Sequence, residues 1–147
     1  MIAQSSRHPP VAHELRPSDW LRLAVGAAVL SAAAVLITQL TALAIWPELI
    51  AFDPLNSLPR SILFTVIPAF AATGVFAWLD RHVARPGRAF LLVAAIVLMI
   101  SIVPDYLLPF ANKTLLASTV TAALHVVAGI VTVSMLLTGY RSARQIT

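Results

Sequence analysis

The sequence has no cysteine, and charged residues make up only 11% of its 147 positions. Without thiols it cannot form disulfides, thiolate metal sites or iron–sulfur clusters, nor carry out the thiol redox chemistry of quinone-coupled four-helix enzymes. It also lacks G-x-S-x-G and H-E-x-x-H motifs, a glycine-rich phosphate loop, a glutamate within an apolar stretch and a pair of intramembrane aspartates. The sequence therefore predicts neither an enzyme nor a metal site.

Long apolar stretches are the dominant feature that is present. Hydrophobic residues make up 59% of the chain, and most of them fall within residues 23–46, 61–79, 89–103 and 115–137. A hydrocarbon core about 30 Å thick needs roughly 20 apolar residues per crossing helix, because each residue advances about 1.5 Å. Three stretches reach that length, and the third does so if it continues through Pro104. We predict an all-α bundle of four transmembrane helices.

Prolines and polar residues set the predicted boundaries. We expect helices over about 19–46, 58–80, 88–104 and 114–140, forming one transmembrane domain over residues 18–140. Residues 1–17 are predicted to be a flexible cytoplasmic tail, and residues 141–147 a second, shorter cytoplasmic tail. Pro68 removes a backbone donor inside the second helix and is expected to kink it. Pro104 either kinks the third helix or ends it.

The basic residues are distributed unevenly between the two sides of the predicted membrane. One side holds eight arginines, Arg7, Arg16, Arg22, Arg81, Arg85, Arg88, Arg141 and Arg144, whereas the other side holds only Arg60 and Lys113. The positive-inside rule therefore places both termini in the cytoplasm. This explains the net charge of +4 without a nucleic-acid partner. Arg81, Arg85 and Arg88 either contact anionic lipid headgroups or only fix the topology.

Aromatic residues near the helix ends agree with this orientation, because such residues favour the membrane interface. We predict that Trp20, Trp78 and Tyr140 line the inner interface and that Trp46, Tyr106 and Phe110 line the outer one.

Small and hydroxyl-bearing residues form a stripe on the fourth helix. At 100° per residue, Ser118, Ala122, His125, Gly129 and Thr132 fall within an arc of about 80°, whereas Leu116, Val120, Leu124, Val127 and Val131 lie on the opposite side. The first helix has a similar row, namely Ala24, Ala28, Ser31, Thr38 and Ala42. Such residues let helices approach closely in lipid. We expect both rows to be contact faces, within the bundle or between protomers.

His125 is the one strongly ionisable residue predicted to lie deep in the membrane. It needs hydrogen-bond partners there, and the candidates at comparable depth are Ser101 and Gln39. As a functional residue it would relay protons, contact a quinone or ligate haem. As a structural residue it would join two helices by a hydrogen bond. The structural role is favoured, because no second buried histidine, glutamate or aspartate completes a relay.

Asp105 follows Pro104 at the outer end of the third helix. We expect it to form a solvated ion pair with Lys113, which is worth little in stability, or a small polar site with the same residue.

Three short strings carry a resemblance to known proteins. They are Pro86-Gly87-Arg88-Ala89-Phe90, the segment from Ser101 through Pro104, and Ala122-Ala123-Leu124-His125-Val126-Val127-Ala128. On these strings the chain resembles, over most of residues 20–138, a family of small bacterial four-helix membrane proteins. That family is common in actinobacteria and is catalogued only as a domain of unknown function. The resemblance implies the four-helix fold and no activity, and it marks His125 as a family feature.

We therefore expect a non-enzymatic, multi-pass protein of the bacterial inner membrane that acts by association. Its partners would be membrane lipids and either further copies of itself or the subunits of a larger membrane complex, with no cofactor. The alternative is a small transporter or a redox-linked subunit in which His125 contacts a quinone or haem.

Overall fold

The computed structural model describes residues 15–109 and 111–146. They form four long helices, α1 (Pro17–Ile45), α2 (Leu58–His82), α3 (Pro86–Leu107) and α4 (Leu115–Ile146), and two short 3₁₀ turns lie between α1 and α2. There is no strand in this part of the chain, and each helix is long and apolar enough to cross a membrane. The predicted all-α, four-helix class is confirmed. Most of the expected N-terminal tail, including Arg7, and also Phe110 lie outside the described residues.

Local chemistry explains where the helices begin. Pro17, Pro59 and Pro86 occupy the first turns of α1, α2 and α3, where a missing backbone N–H costs nothing. The Asp19 carboxylate accepts a hydrogen bond from the Arg16 N–H at 3.3 Å. The Thr114 hydroxyl accepts one from the Ala117 N–H at 3.0 Å. These side chains satisfy backbone donors that have no partner within the helix.

Two predicted boundaries are wrong. Helix α3 does not end at Pro104, because it continues to Leu107, and the Leu108 N–H donates to the Pro104 carbonyl at 3.0 Å. Helix α4 does not end near residue 140 but runs to Ile146, through most of the predicted C-terminal tail. Arg144 on this extension donates to Asp80 of α2 at 3.0 Å, which ties the last turns of α4 to the bundle.

Successive helices run antiparallel, and α1 packs most extensively on α4 and α2. The contact between α1 and α4 includes a buried hydrogen bond of 2.8 Å between the Ser31 and Thr132 hydroxyls. Helix α3 is peripheral, with only Phe90 and Asp105 buried. The small-residue rows of α1 and α4 thus meet at Ser31 and Thr132, whereas Gly129 of the α4 row lies against Leu98 of α3. Val120 and Leu124, predicted to lie away from the contact face, are buried as well, because they pack with Val35 and Ala42 of α1 and with the segment between α1 and α2.

The bundle has two different ends. At the arginine end, where α1 and α3 begin and α2 and α4 end, the rings of Phe76 and Phe90 stack 4.5 Å apart. Trp20 and Tyr140 pack against Phe76 at 5.6 and 4.9 Å between ring centroids. Both are buried, so they pack inside the bundle, whereas Trp78, predicted for the same interface, is exposed. The ends of four helices meet there, and their rings fill the space between them.

The opposite end, which we call the loop end, is closed by the segment between α1 and α2. Leu49, Phe52 and Leu55 from that segment are 2%, 2% and 1% exposed, and they pack with Val35, Ala42, Ala117, Val120 and Leu124. The 3₁₀ turns therefore act as a hydrophobic cap over α1 and α4.

Candidate functional site

A cavity of about 450 Å³ lies between α2, α3 and α4. Small residues on its walls, Ala69, Ala72, Ala94, Ala128 and Gly129, leave this space unfilled. The strongly exposed lining residues belong to α2 and α3, among them Phe64 and Val97. The cavity therefore opens sideways between these two helices, and in a bilayer that opening would face lipid.

Among the described residues that line this cavity, His125 is the titratable one. The hydroxyl groups that share the walls already donate or share hydrogen bonds: Thr65 with the Ser61 carbonyl, Ser101 with the Leu98 carbonyl and Thr132 with the Ser31 hydroxyl, each at 2.8 Å. The imidazole of His125 bonds to none of these hydroxyls, and its polar contact is with the Asp105 carboxylate at 3.5 Å. The imidazole therefore remains the polar group of the wall that can contact a bound molecule.

Asp105 of α3 contacts His125 but is not itself among the residues that line the cavity. Its Oδ2 atom is 3.5 Å from the Nε2 atom of His125, which is longer than an ordinary hydrogen bond. The side chain is 11% exposed, and Oδ2 has no hydrogen-bond partner within residues 15–109 and 111–146. A carboxylate placed in this way can stabilise a protonated imidazole.

The prediction of an ion pair between Asp105 and Lys113 is wrong. The Lys113 ammonium instead donates to the carbonyls of Tyr106 and Leu108 at 2.6 and 2.9 Å. A cation in this position satisfies free carbonyls at the end of α3 and offsets the negative end of its dipole. Because α3 continues past Pro104, Asp105 stays on the helical surface and faces α4. The inference that His125 has no buried acidic partner is wrong for the same reason.

The two side chains predicted to bond to His125 donate their hydrogen bonds to other residues. Ser101 lines the same cavity, but its hydroxyl donates within α3 to Leu98. Gln39 is fully buried, and its Nε2 atom donates to the Leu55 carbonyl at 2.8 Å, which ties α1 to the segment that caps the loop end.

The remaining predicted packing residues are distributed around the site. Ser118, in the first turn of α4, is 1% exposed. Gly129 and Pro68 line the cavity from α4 and α2. At Gly129 an added Cβ would meet the Leu98 side chain at 3.5 Å, an ordinary contact distance. The packing around the cavity is therefore loose.

A second buried carboxylate lies at the arginine end. The Asp80 side chain is 4% exposed. Its Oδ1 atom accepts hydrogen bonds from the Tyr140 hydroxyl and from Arg144, whose guanidinium also lies 4.8 Å from the Tyr140 ring centroid. Arg81, Arg85 and Arg88, predicted to contact lipid headgroups, are all exposed at this end. None of the three makes an ion pair with another residue in the described part of the chain.

No three histidine, aspartate or glutamate side chains of the described segments converge to hold a metal ion.

Comparison with known proteins identifies a family. Residues 14–142 match DUF6069, a family of unknown function. This match spans nearly the whole chain, so the protein belongs to that family, and the resemblance to a domain of unknown function is confirmed. No match was found among curated proteins or among solved structures. Because the family carries no activity to transfer, the function has to be argued from the cavity and its polar groups.

Proposed function

We propose that this member of DUF6069 binds a lipid-soluble small molecule, which enters from the bilayer into the cavity between α2, α3 and α4. The observation that carries the proposal is the lateral cavity itself, about 450 Å³ in volume, with almost wholly apolar walls and His125 as its titratable group. Ligand sites in proteins commonly measure roughly 300–1,000 Å³ and combine apolar walls with a few placed polar groups. An intramembrane ionisable residue facing such a space is itself a pointer to function.

The chemistry of the walls limits the class of ligand. The hydroxyls already have partners, so His125 supplies the hydrogen bond, and Asp105 behind it favours an imidazole that donates. A flat apolar molecule with a carbonyl oxygen, such as a quinone, fits these requirements. Haem fits less well, because its two carboxylates need polar partners and no other charged side chain lines the cavity.

Orientation in the bacterial inner membrane follows from the placement of charge, as a second part of the proposal. Seven arginines gather at the arginine end, namely Arg16, Arg22, Arg81, Arg85, Arg88, Arg141 and Arg144. This supports a cytoplasmic arginine end and an external loop end. Reporter fusions at residue 84 and after residue 147 should score cytoplasmic, and one at residue 54 external. A cytoplasmic score at residue 54 would reverse the orientation.

A pair of neighbouring alanines on α3 tests the cavity. Ala94 lines it, whereas Ala95 is exposed on the outer surface of the same helix. A short-chain quinone should raise the unfolding temperature of the purified wild-type protein in detergent, because a ligand that binds only the folded state stabilises it. Ala94→Leu should abolish the rise by filling the cavity, and Ala95→Leu should retain it. An equal rise in both variants, or none in the wild type, would contradict the proposal.

Association with another subunit is the second candidate function, and the exposure of α3 favours it. That helix buries only two residues, and Met99 and Ile100 on it are 68% and 65% exposed. The small-residue rows do not support this candidate, because Ser31 and Thr132 bond α1 to α4 within the chain and because His125 and Gly129 of the α4 row line the cavity. Since the chain has no native cysteine, Met99→Cys gives a unique site for cross-linking in native membranes. A disulfide-linked dimer, or a cross-linked partner subunit, would support association over ligand binding.

A further inference from the structure

Three buried side-chain atoms in the described part of the chain have no hydrogen-bond partner, and they point to a second property of the cavity. They are Gln39 Oε1, Asp105 Oδ2 and Ser118 Oγ. All three lie in the half of the bundle nearer the loop end. An unpartnered buried polar atom is costly, and such atoms are the usual sites of internal water. By contrast, the carboxylate at the arginine end is bonded to a tyrosine and an arginine.

Helix geometry places two of these atoms in line with His125. Ser118 precedes His125 by seven residues, so the two lie on one face of α4, about 20° apart in angle and about 10 Å apart along the axis. Asp105 faces the same part of α4, 3.5 Å from His125. Ser118 thus lies on the loop-end side of the His125–Asp105 pair, on the face of α4 that carries the histidine.

We propose that His125 and Asp105 exchange a proton with the loop end, so that binding of a hydrogen-bond-accepting molecule in the cavity is coupled to uptake of one proton. This inference rests on the proposed function. The bound molecule accepts a hydrogen bond from a protonated His125, and the Asp105 carboxylate balances the imidazolium charge. Hydronium or buffer acid in the aqueous phase gives up the proton, which forms an N–H bond on the imidazole, and no electron is transferred.

Within residues 15–109 and 111–146, Asp105 is the charged side chain that contacts His125. The polar side chains that line the cavity from α2 and α3, Thr65 and Ser101, are uncharged. Gln39 on α1 is neutral. Among the charged groups at the loop end, Asp53 pairs with Arg60 and Lys113 donates to two carbonyls, and Glu48 is exposed on the 3₁₀ turn that follows α1. A pH dependence of binding would therefore report on the His125–Asp105 pair.

Calorimetry can count the protons directly. A short-chain quinone is titrated into the purified full-length protein in buffers of different ionisation enthalpy, from about pH 5.5 to about pH 8.5, where histidine titrates. We expect up to one proton taken up per molecule bound, and an affinity that falls by up to about tenfold per pH unit as the pH rises, the limit for one linked proton.

Variants separate the two proposals. Asp105→Asn and His125→Asn should each abolish proton uptake and flatten the pH dependence. Asp53→Asn, which removes an exposed carboxylate at the same end, should behave as the wild type. Quinone binding without proton uptake would overturn the coupling and leave the proposed function standing. A wild-type protein that binds no quinone at any pH would overturn both. Proton uptake that persists in both Asn variants would assign it to another group.

Discussion

The two buried carboxylates of this bundle, Asp80 at the arginine end and Asp105 at the loop end, have opposite surroundings. Asp80 accepts from Tyr140 and from Arg144, a guanidinium that stays charged at any pH relevant to a cell. Asp105 faces His125 at 3.5 Å and has an oxygen without a hydrogen-bond partner in the described structure. Histidine can gain or lose its proton near neutral pH. Asp80 therefore holds α2 and α4 together. Asp105 instead lies next to a side chain that can change its charge.

The packing around the two sites differs in the same way. At the arginine end the rings of Trp20, Phe76, Phe90 and Tyr140 fill the interior. Beside His125 an open cavity of about 450 Å³ remains. Binding sites need space and polar groups that are not already paired, and both conditions cost stability. The comparison therefore indicates that one end stabilises the bundle, and it supports the proposal that the middle and the loop end form the binding site.

Removing the Asp80 carboxylate should lower the free energy of unfolding more than any of the other substitutions proposed. Asp80→Ala leaves the Tyr140 hydroxyl and Arg144 without their shared acceptor, so we expect the free energy of unfolding to fall by about 2–3 kcal/mol. Asp53→Ala is the matched control, because its ion pair with Arg60 at 2.7 Å is exposed and should be worth less than about 1 kcal/mol. Reversible unfolding in mixed micelles measures both. Equal losses would remove the distinction between the buried and the exposed pair.

Two glycines on α4 test the difference in packing. A Cβ at Gly139 would overlap the buried Leu23 side chain, whereas one at Gly129 would meet Leu98 at 3.5 Å. Gly139→Ala should therefore cost about 1–2 kcal/mol through overpacking, and Gly129→Ala should be neutral or slightly stabilising because alanine favours the helix. The same unfolding measurement applies. A harmless Gly139→Ala would show that the arginine end is not tightly packed.

His125 should contribute less to stability than to binding. If it only joins α4 to α3, Leu should cost about 0.6 kcal/mol, and at most roughly 2, while Asn should largely replace it. If it serves the cavity, both variants should fold and both should lose quinone binding or its proton coupling. Unfolding and calorimetry on the same samples distinguish these results. Wild-type binding by His125→Leu would exclude the histidine from the site.

The smallest change in the free energy of unfolding is expected for Asp105. Asp105→Asn removes a buried charge that has no close hydrogen bond to lose, so the free energy of unfolding should change by less than about 1 kcal/mol. The contrast with Asp80 is the result that matters. A loss as large as that of Asp80→Ala would mean that Asp105 also holds the helices together.

Much of the fold was predictable because a bilayer demands long apolar helices. The four stretches, the starts of α1, α2 and α3 near Pro17, Pro59 and Pro86, and the small-residue rows could all be read from spacing along the chain. The prediction about α3 was wrong for a definite reason. Its apolar stretch was too short to cross a bilayer unless it passed Pro104, and that length was the available signal that Asp105 belongs to a helix.

The sequence by itself determined the class of the protein, through the length of its apolar stretches, and the asymmetry of its charge, through the placement of its arginines. Tertiary structure alone decided which polar groups meet. Asp80 and Arg144 are 64 residues apart, and Asp105 meets His125 across two helices. Such pairings depend on helix rotation and register, which arise when whole faces pack together. The cavity has the same origin, because it is the space that small residues on three helices leave between them.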